Sequence, residues 1–203
     1  LINDFKTGAL QQVERGENRF TWMNLQVRES YRMSEAASIN SHTQFDDQHA
    51  AESLTRWATF RLARELYGVN VMQVREVLRY TEITPVPGTA MHVLGIINLR
   101  GNVVTVIDAR RLFQISVSDV TEKSRIVIVE SCDQVIGVLV DCVDEVVDVK
   151  ASDIDKPPNV GSEDVQRCFS GVCNLKQDLL IMIDIDQLVQ DQLDLAASNI
   201  FEF

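Results

Sequence analysis

Residues Gly95 to Phe113 read GIINLRGNVVTVIDARRLF. Two apolar, β-branched runs flank a tight polar turn at Arg100-Gly101-Asn102, the pattern of a β-hairpin. Asp108 follows the second run and stands where an N-cap opens a helix, predicted from Ala109 to Phe113. One charged side chain, Arg100, is held at the tip of an otherwise apolar unit. Gly101 serves a backbone need, because a tight hairpin turn uses positive φ there.

The unit occurs twice. Gly171 to Val189 reads GVCNLKQDLLIMIDIDQLV, and Gly95, Asn98, Leu99, Arg100, Asp108 and Leu112 fall on Gly171, Asn174, Leu175, Lys176, Asp184 and Leu188 at a constant offset of 76 (171 − 95). An earlier segment repeats as well. Tyr67-Gly68-Val69 with Val71, Val74, Glu76 and Val77 matches Ile136-Gly137-Val138 with Val140, Val143, Glu145 and Val146, at an offset of 69 (137 − 68). Two copies of one plan therefore run from about Arg56 to Val189.

The 203-residue chain is 45% apolar, enough for a real core, and carries a formal net charge of −11. That charge argues against a general binder of nucleic acid or anionic membranes, whose affinity comes largely from Lys and Arg. The apolar runs fall far short of a membrane span, and no signal peptide is evident. Cys132, Cys142, Cys168 and Cys173 lack CxxC spacing and read as buried free thiols of a reducing compartment.

Residues 1–53 are polar and without sustained period, and are expected to form a flexible tail, leaving 54–203 as the folded domain. Either residues 1–32 arise upstream of a true start at Met33, or they are a genuine extension that docks a second partner. His42 and His49 read as solvated tail rather than metal ligands. From Trp57 the period is that of strands. A first hairpin is predicted over Trp57 to Val71, then one helical turn at Met72-Gln73, then a strand from Val74 to Tyr80. Alternation there places Val74, Glu76 and Leu78 on one face. Thr84 to Gly88 forms an extended loop. The same order recurs from Arg125 to Val189, with a second long loop from Pro157 to Asp164, and a terminal helix is expected from Asp191 to Phe203. The fold class is all-β: two linked five-stranded small β-barrels of SH3-like type, with short helices, packed on one another with a groove between equivalent faces.

The stretch Trp57 to Val189 resembles the CheW family, the adaptors of bacterial chemotaxis arrays. The resemblance is carried by YGVNVMQVREVLRY, the ITPVPG loop, VLGIINLRGNVVTVIDARRLF, VIGVLVDCVDEVV and the final GVCNLKQDLLIMIDIDQLV. It implies two linked five-strand barrels, no catalysis and no cofactor. It also implies two partners: the regulatory domain of the histidine kinase CheA and the cytoplasmic tip of methyl-accepting chemoreceptors. The location implied is cytoplasmic, at receptor arrays near the inner membrane. Carried over by position, Val74, Glu76, Arg100 and Gly101 match the receptor-coupling region, and Asp141 and Glu145 lie near the rim where the family meets the kinase. Arg100 either pairs with Glu76 or reaches a partner, and both hold if the pair opens on binding. Ala109 departs from the Leu usual after Asp108, and Gln114 from the usual Gly.

Other classes fare worse. There is no Gly-rich phosphate loop, HExxH or GxSxG, and His92 stands alone in a loop, so no catalytic constellation is evident. Asp184 and Asp186 alone are weak evidence for a metal. A small-barrel nucleic-acid module needs a basic groove with stacking aromatics, against 6% aromatic content here. A CheW-like scaffold in array positioning, or in another kinase pathway, is the alternative within the family.

Overall fold

A computed structural model describes residues 54–131, 134–157, 163–176 and 178–190. The N-terminal tail, the start at Met33 and the helix expected from Asp191 to Phe203 lie outside the described residues.

The first copy supplies β1 (Leu54–Leu62), β2 (Glu65–Asn70), β3 (Val74–Arg79), β4 (Val93–Leu99), β5 (Asn102–Asp108) and the short helix α1 (Ala109–Leu112). The second supplies β6 (Arg125–Ser131), β7 (Gln134–Val140), β8 (Cys142–Lys150), β9 (Ile154–Asp155), α2 (Glu163–Arg167), β10 (Phe169–Asn174) and β11 (Leu179–Ile183), followed by α3 over residues 185–190. A 3-10 turn at Val71–Gln73 joins β2 to β3, where one helical turn is predicted. β9 and α2 were not anticipated. Two and five residues are too few to set up a period.

Two sheets form, ordered β8-β1-β2-β11-β10-β9 and β3-β6-β7-β5-β4. With the strands of each copy numbered one to five, and β9 set aside, both sheets read 3-1-2-5-4. Each draws strands three, four and five from one copy and its first hairpin from the other. The copies have thus exchanged hairpins. The reason lies in the links. Strands one and two are antiparallel, as are one and three. Strands two and three of one copy would therefore run parallel if they shared a sheet, and a parallel return needs a crossover of about a dozen residues or more. The links available are Val71–Gln73 and the single residue Asp141. The chain has no room to return and continues into the other sheet.

The exchange keeps the repeat in step. Val106 pairs with Gly137 and Met182 with Gly68, both in parallel register. The two apolar cores match as well. One holds Trp57, Cys173, Leu180 and Met182; the other holds Ile126, Ile97, Val104 and Val106 at the equivalent positions. These are two SH3-like units, each open, because the terminal strands of each sheet are not hydrogen-bonded to one another.

Polar and aromatic contacts join the units. Phe113, just past α1, stacks on Tyr67 with ring centres 5.7 Å apart and lies 5.1 Å from Phe169. Burial, with a smaller push from Glu65, raises the Tyr67 hydroxyl to about 12. Asp108 caps α1 by accepting from the Arg110 N–H at 2.9 Å, and Asp184 caps α3 by accepting from the Gln187 N–H at 3.1 Å. Asp186 lies within α3, in the first turn past its cap. Among the described residues, no helix is long and apolar enough to cross a membrane.

Candidate partner-binding site

The β4–β5 hairpin closes through Arg100 and Gly101, at φ +54° and +92°. Positive φ at both central residues marks a mirror-image turn, whose twist matches that of the flanking strands. Asn98 stabilises it by accepting from the Gly101 N–H at 2.8 Å. A side chain at position 101 would meet open space, so glycine is there for its backbone alone.

The turn lifts Arg100 into solvent, its side chain 72% exposed, with Nη2 2.9 Å from Glu76 Oε2. Glu76 lies on β3, at the opposite end of the open sheet from β4. The ion pair therefore bridges the seam between the two ends. At such exposure it contributes about 0–1 kcal/mol, so it guides geometry more than it stabilises. Beside the turn, Val103 is 70% exposed. The tip thus offers a guanidinium, a half-buried carboxylate and an aliphatic side chain.

Val74 does not share this surface. A bulge between Val74 and Glu76 in the β3–β6 pairing inserts Arg75 and breaks the alternation. Val74 and Val77 face the core, while Glu76 and Leu78 are half-buried. The single face expected for Val74, Glu76 and Leu78 is thereby divided, and Val74 is fully buried. Its neighbour Arg75 instead pairs with Glu130.

Asp141 and Glu145 fall elsewhere. Asp141, the link between β7 and β8, is committed internally. Its Oδ1 accepts from Arg110 at 2.9 Å and its Oδ2 from the Ala63 N–H at 2.7 Å. Glu145 is exposed on β8, within a bulge where Asp144 and Glu145 face the single β1 residue Thr59. The buried Thr59 hydroxyl fills the ladder there, donating to the Glu145 carbonyl at 2.6 Å and accepting from its N–H at 3.1 Å. The second seam is pinned by a residue that sequence reading passed over. Arg61 reaches Asp144 on β8 and Asp178 beside β11, each at 2.9 Å. Hydrogen bonding to Asp178 raises the Arg61 pKa, partly opposed by burial.

Cys168 and Cys173 are buried and Cys142 half-buried, all as free thiols; Cys132 lies outside the described residues. Burial pushes the thiols of Cys142 and Cys173 up. Among the described residues, no cluster of His, Cys, Asp and Glu is arranged to hold a metal ion.

The family model of the CheW-like domain matches residues 56–193, the span of both exchanged units. The chain belongs to the CheW-like domain family. Among its CheW relatives, the chemotaxis protein CheW of Rhizobium meliloti is 32% identical over 94 residues, which are 44% of this chain and 61% of that protein. CheW of Bacillus subtilis is 35% identical over 71 residues, 35% of this chain and 46% of its own length. CheW of Klebsiella aerogenes is 27% identical over 133 residues, 66% of this chain and 80% of that protein. The chain thus spans about half the length of the first two relatives and more of the third. The crystal structure of the scaffolding protein TtCheW from Thermoanaerobacter tengcongensis superposes with a TM-score of 0.62 at 32% identity, over 72% of this chain and 93% of that one.

Proposed function

We infer that this CheW-like chain is a non-catalytic chemotaxis adaptor that couples the cytoplasmic tips of chemoreceptors to the histidine kinase CheA. Its place is the cytoplasmic side of a receptor array. The observation that carries this reading is the continuous family match over residues 56–193, together with the superposition on a protein described as a scaffold.

The receptor surface is centred on Arg100, with Glu76 beside it and Gly101 and Val74 setting its shape. A guanidinium on a stiff turn meets carboxylate or carbonyl oxygens of a partner helix, while the adjacent aliphatic surface supplies apolar contact. Glu145, exposed on β8, belongs to the kinase side. Asp141 serves that side by shaping the β7–β8 corner, since both of its oxygens are held within the chain.

The test is Arg100→Glu, assayed separately against receptor-containing membranes and purified CheA. The turn is exposed, so the fold survives while the charge is reversed. Receptor affinity is expected to fall about tenfold, equivalent to about 1.4 kcal/mol, with circular dichroism and CheA binding unchanged. Unchanged receptor binding in a folded variant removes Arg100 from the role.

A further inference from the structure

The exchanged hairpins leave each sheet attached to the other by short links, and a polar clasp sits on each link. At the first, Arg110 on α1 is buried with 3% of its side chain exposed. Its Nη1 donates to Asp141 Oδ1 at 2.9 Å and to Ser118 Oγ at 2.5 Å, and its Nε donates to Asp108 Oδ1 at 3.3 Å. Asp141 in turn accepts from the Ala63 N–H and donates its own N–H to the Arg61 carbonyl at 3.1 Å. Ala63 holds the β1–β2 turn at φ +54°. One guanidinium thus fastens α1, at the end of the second sheet, to the crossover and to the hairpin turn of the first.

The second link carries the equivalent arrangement with different chemistry. Position 186 falls on position 110 at the offset of 76, and Asp186 on α3 accepts from Gln73 Nε2, on the β2–β3 crossover, at 2.9 Å. It also accepts from the Ser131 hydroxyl at the end of β6. Asp186 is exposed, whereas Arg110 is not. The two clasps occupy equivalent places, one buried and ionic, the other exposed and hydrogen-bonded.

We propose that Arg110 and Asp141 are positioning residues that fix the angle between the two sheets, so that partners held on either sheet keep a set registry. The consequence for partners rests on the adaptor reading above; the angle itself does not. Arg110 is buried and held by Asp108, Ser118 and Asp141 together, so a slide that withdraws Asp141 removes one of the partners of a desolvated guanidinium and is costly. The exposed clasp can exchange its bonds for water at little cost.

The test places spin labels at Val103→Cys and Leu179→Cys, equivalent exposed sites on the two sheets. The distance between them is measured by pulsed electron resonance in the full chain, with Cys132 and Cys142 replaced by Ser. The expected result is one narrow distance in the parent, lost to a broad distribution in Arg110→Met and in the milder Asp141→Asn, while Asp186→Asn stays narrow. Asp141→Asn keeps a carbonyl for the Ala63 N–H, so it folds even if Arg110→Met does not. A narrow, unshifted distance in folded Asp141→Asn overturns the proposal, as does equal broadening in Asp186→Asn. The measurement needs no partner, so its failure is distinct from failure of the adaptor reading.

Discussion

Gly68 and Leu180 come from different copies, yet a side chain at position 68 would stand 3.0 Å from Leu180 Cδ1. That contact exists only because the hairpins are exchanged. Leu180→Ala removes a fully buried side chain, at a cost of about 2–5 kcal/mol from lost transfer energy plus the cavity left behind. Gly68→Ala crowds Leu180 and costs about 1–3 kcal/mol, offset by about 0.5–1 kcal/mol because glycine is poor in a strand. In the double variant the new methyl enters the space that Leu180 vacates. The pair should therefore be less destabilising than the sum by about 1 kcal/mol, within the range found for residues in contact. The control is Gly68→Ala with Val104→Ala. Val104 is the equivalent of Leu180 and would be the neighbour of Gly68 had each copy folded on itself. Those two changes should add to within about 0.5 kcal/mol. Urea unfolding of the three single and two double variants supplies the numbers. Additivity with Leu180 and coupling with Val104 would refute the exchange.

Gly95→Ala should be far more disruptive than Gly101→Ala. A Cβ at 95 would lie 2.1 Å from the Thr84 carbonyl oxygen at φ +143°, whereas at 101 only the φ of +92° opposes it, at about 1–3 kcal/mol; thermal melts of both decide this. Tyr67 should titrate at about 12 by its phenolate absorbance, a step absent from Tyr67→Phe. The folded-state value lies above the unfolded value of about 10. Its contribution to stability is therefore fully present below pH 10 and declines as pH rises towards 12. A Tyr67→Phe variant with the same alkaline loss of stability would show that another group is responsible.

Much of the fold was legible because β-branched runs, glycine turns and the two offsets report local periodicity. The hairpin at Arg100 and the caps at Asp108 and Asp184 depend on residues within a few positions of one another. The exchange depends on which copy's hairpin completes which sheet, and both arrangements bury the same residue types. Its local signs were the two short links, Val71–Gln73 between β2 and β3 and Asp141 between β7 and β8, too short for a return to the same sheet. The candidate site was legible in its exposed part, Glu76 and Arg100, because both are charges on an apolar plan. Val74 was misplaced since a bulge shifts alternation by one residue without any glycine or proline to announce it. Asp141 read as a rim carboxylate because its partners, Arg110 and the Ala63 N–H, lie 31 and 78 residues away. Arg61 went unread for the same reason, as Asp178 is 117 residues away.

The decisive measurement is co-sedimentation of purified CheA with receptor-containing membranes, titrated with this protein. If the chain couples two partners, CheA enters the pellet only when the protein is added, and the Arg100→Glu variant needs about tenfold more protein to bring the same share of CheA down. CheA that pellets equally without the protein, or stays in solution while the protein alone pellets, would contradict the account.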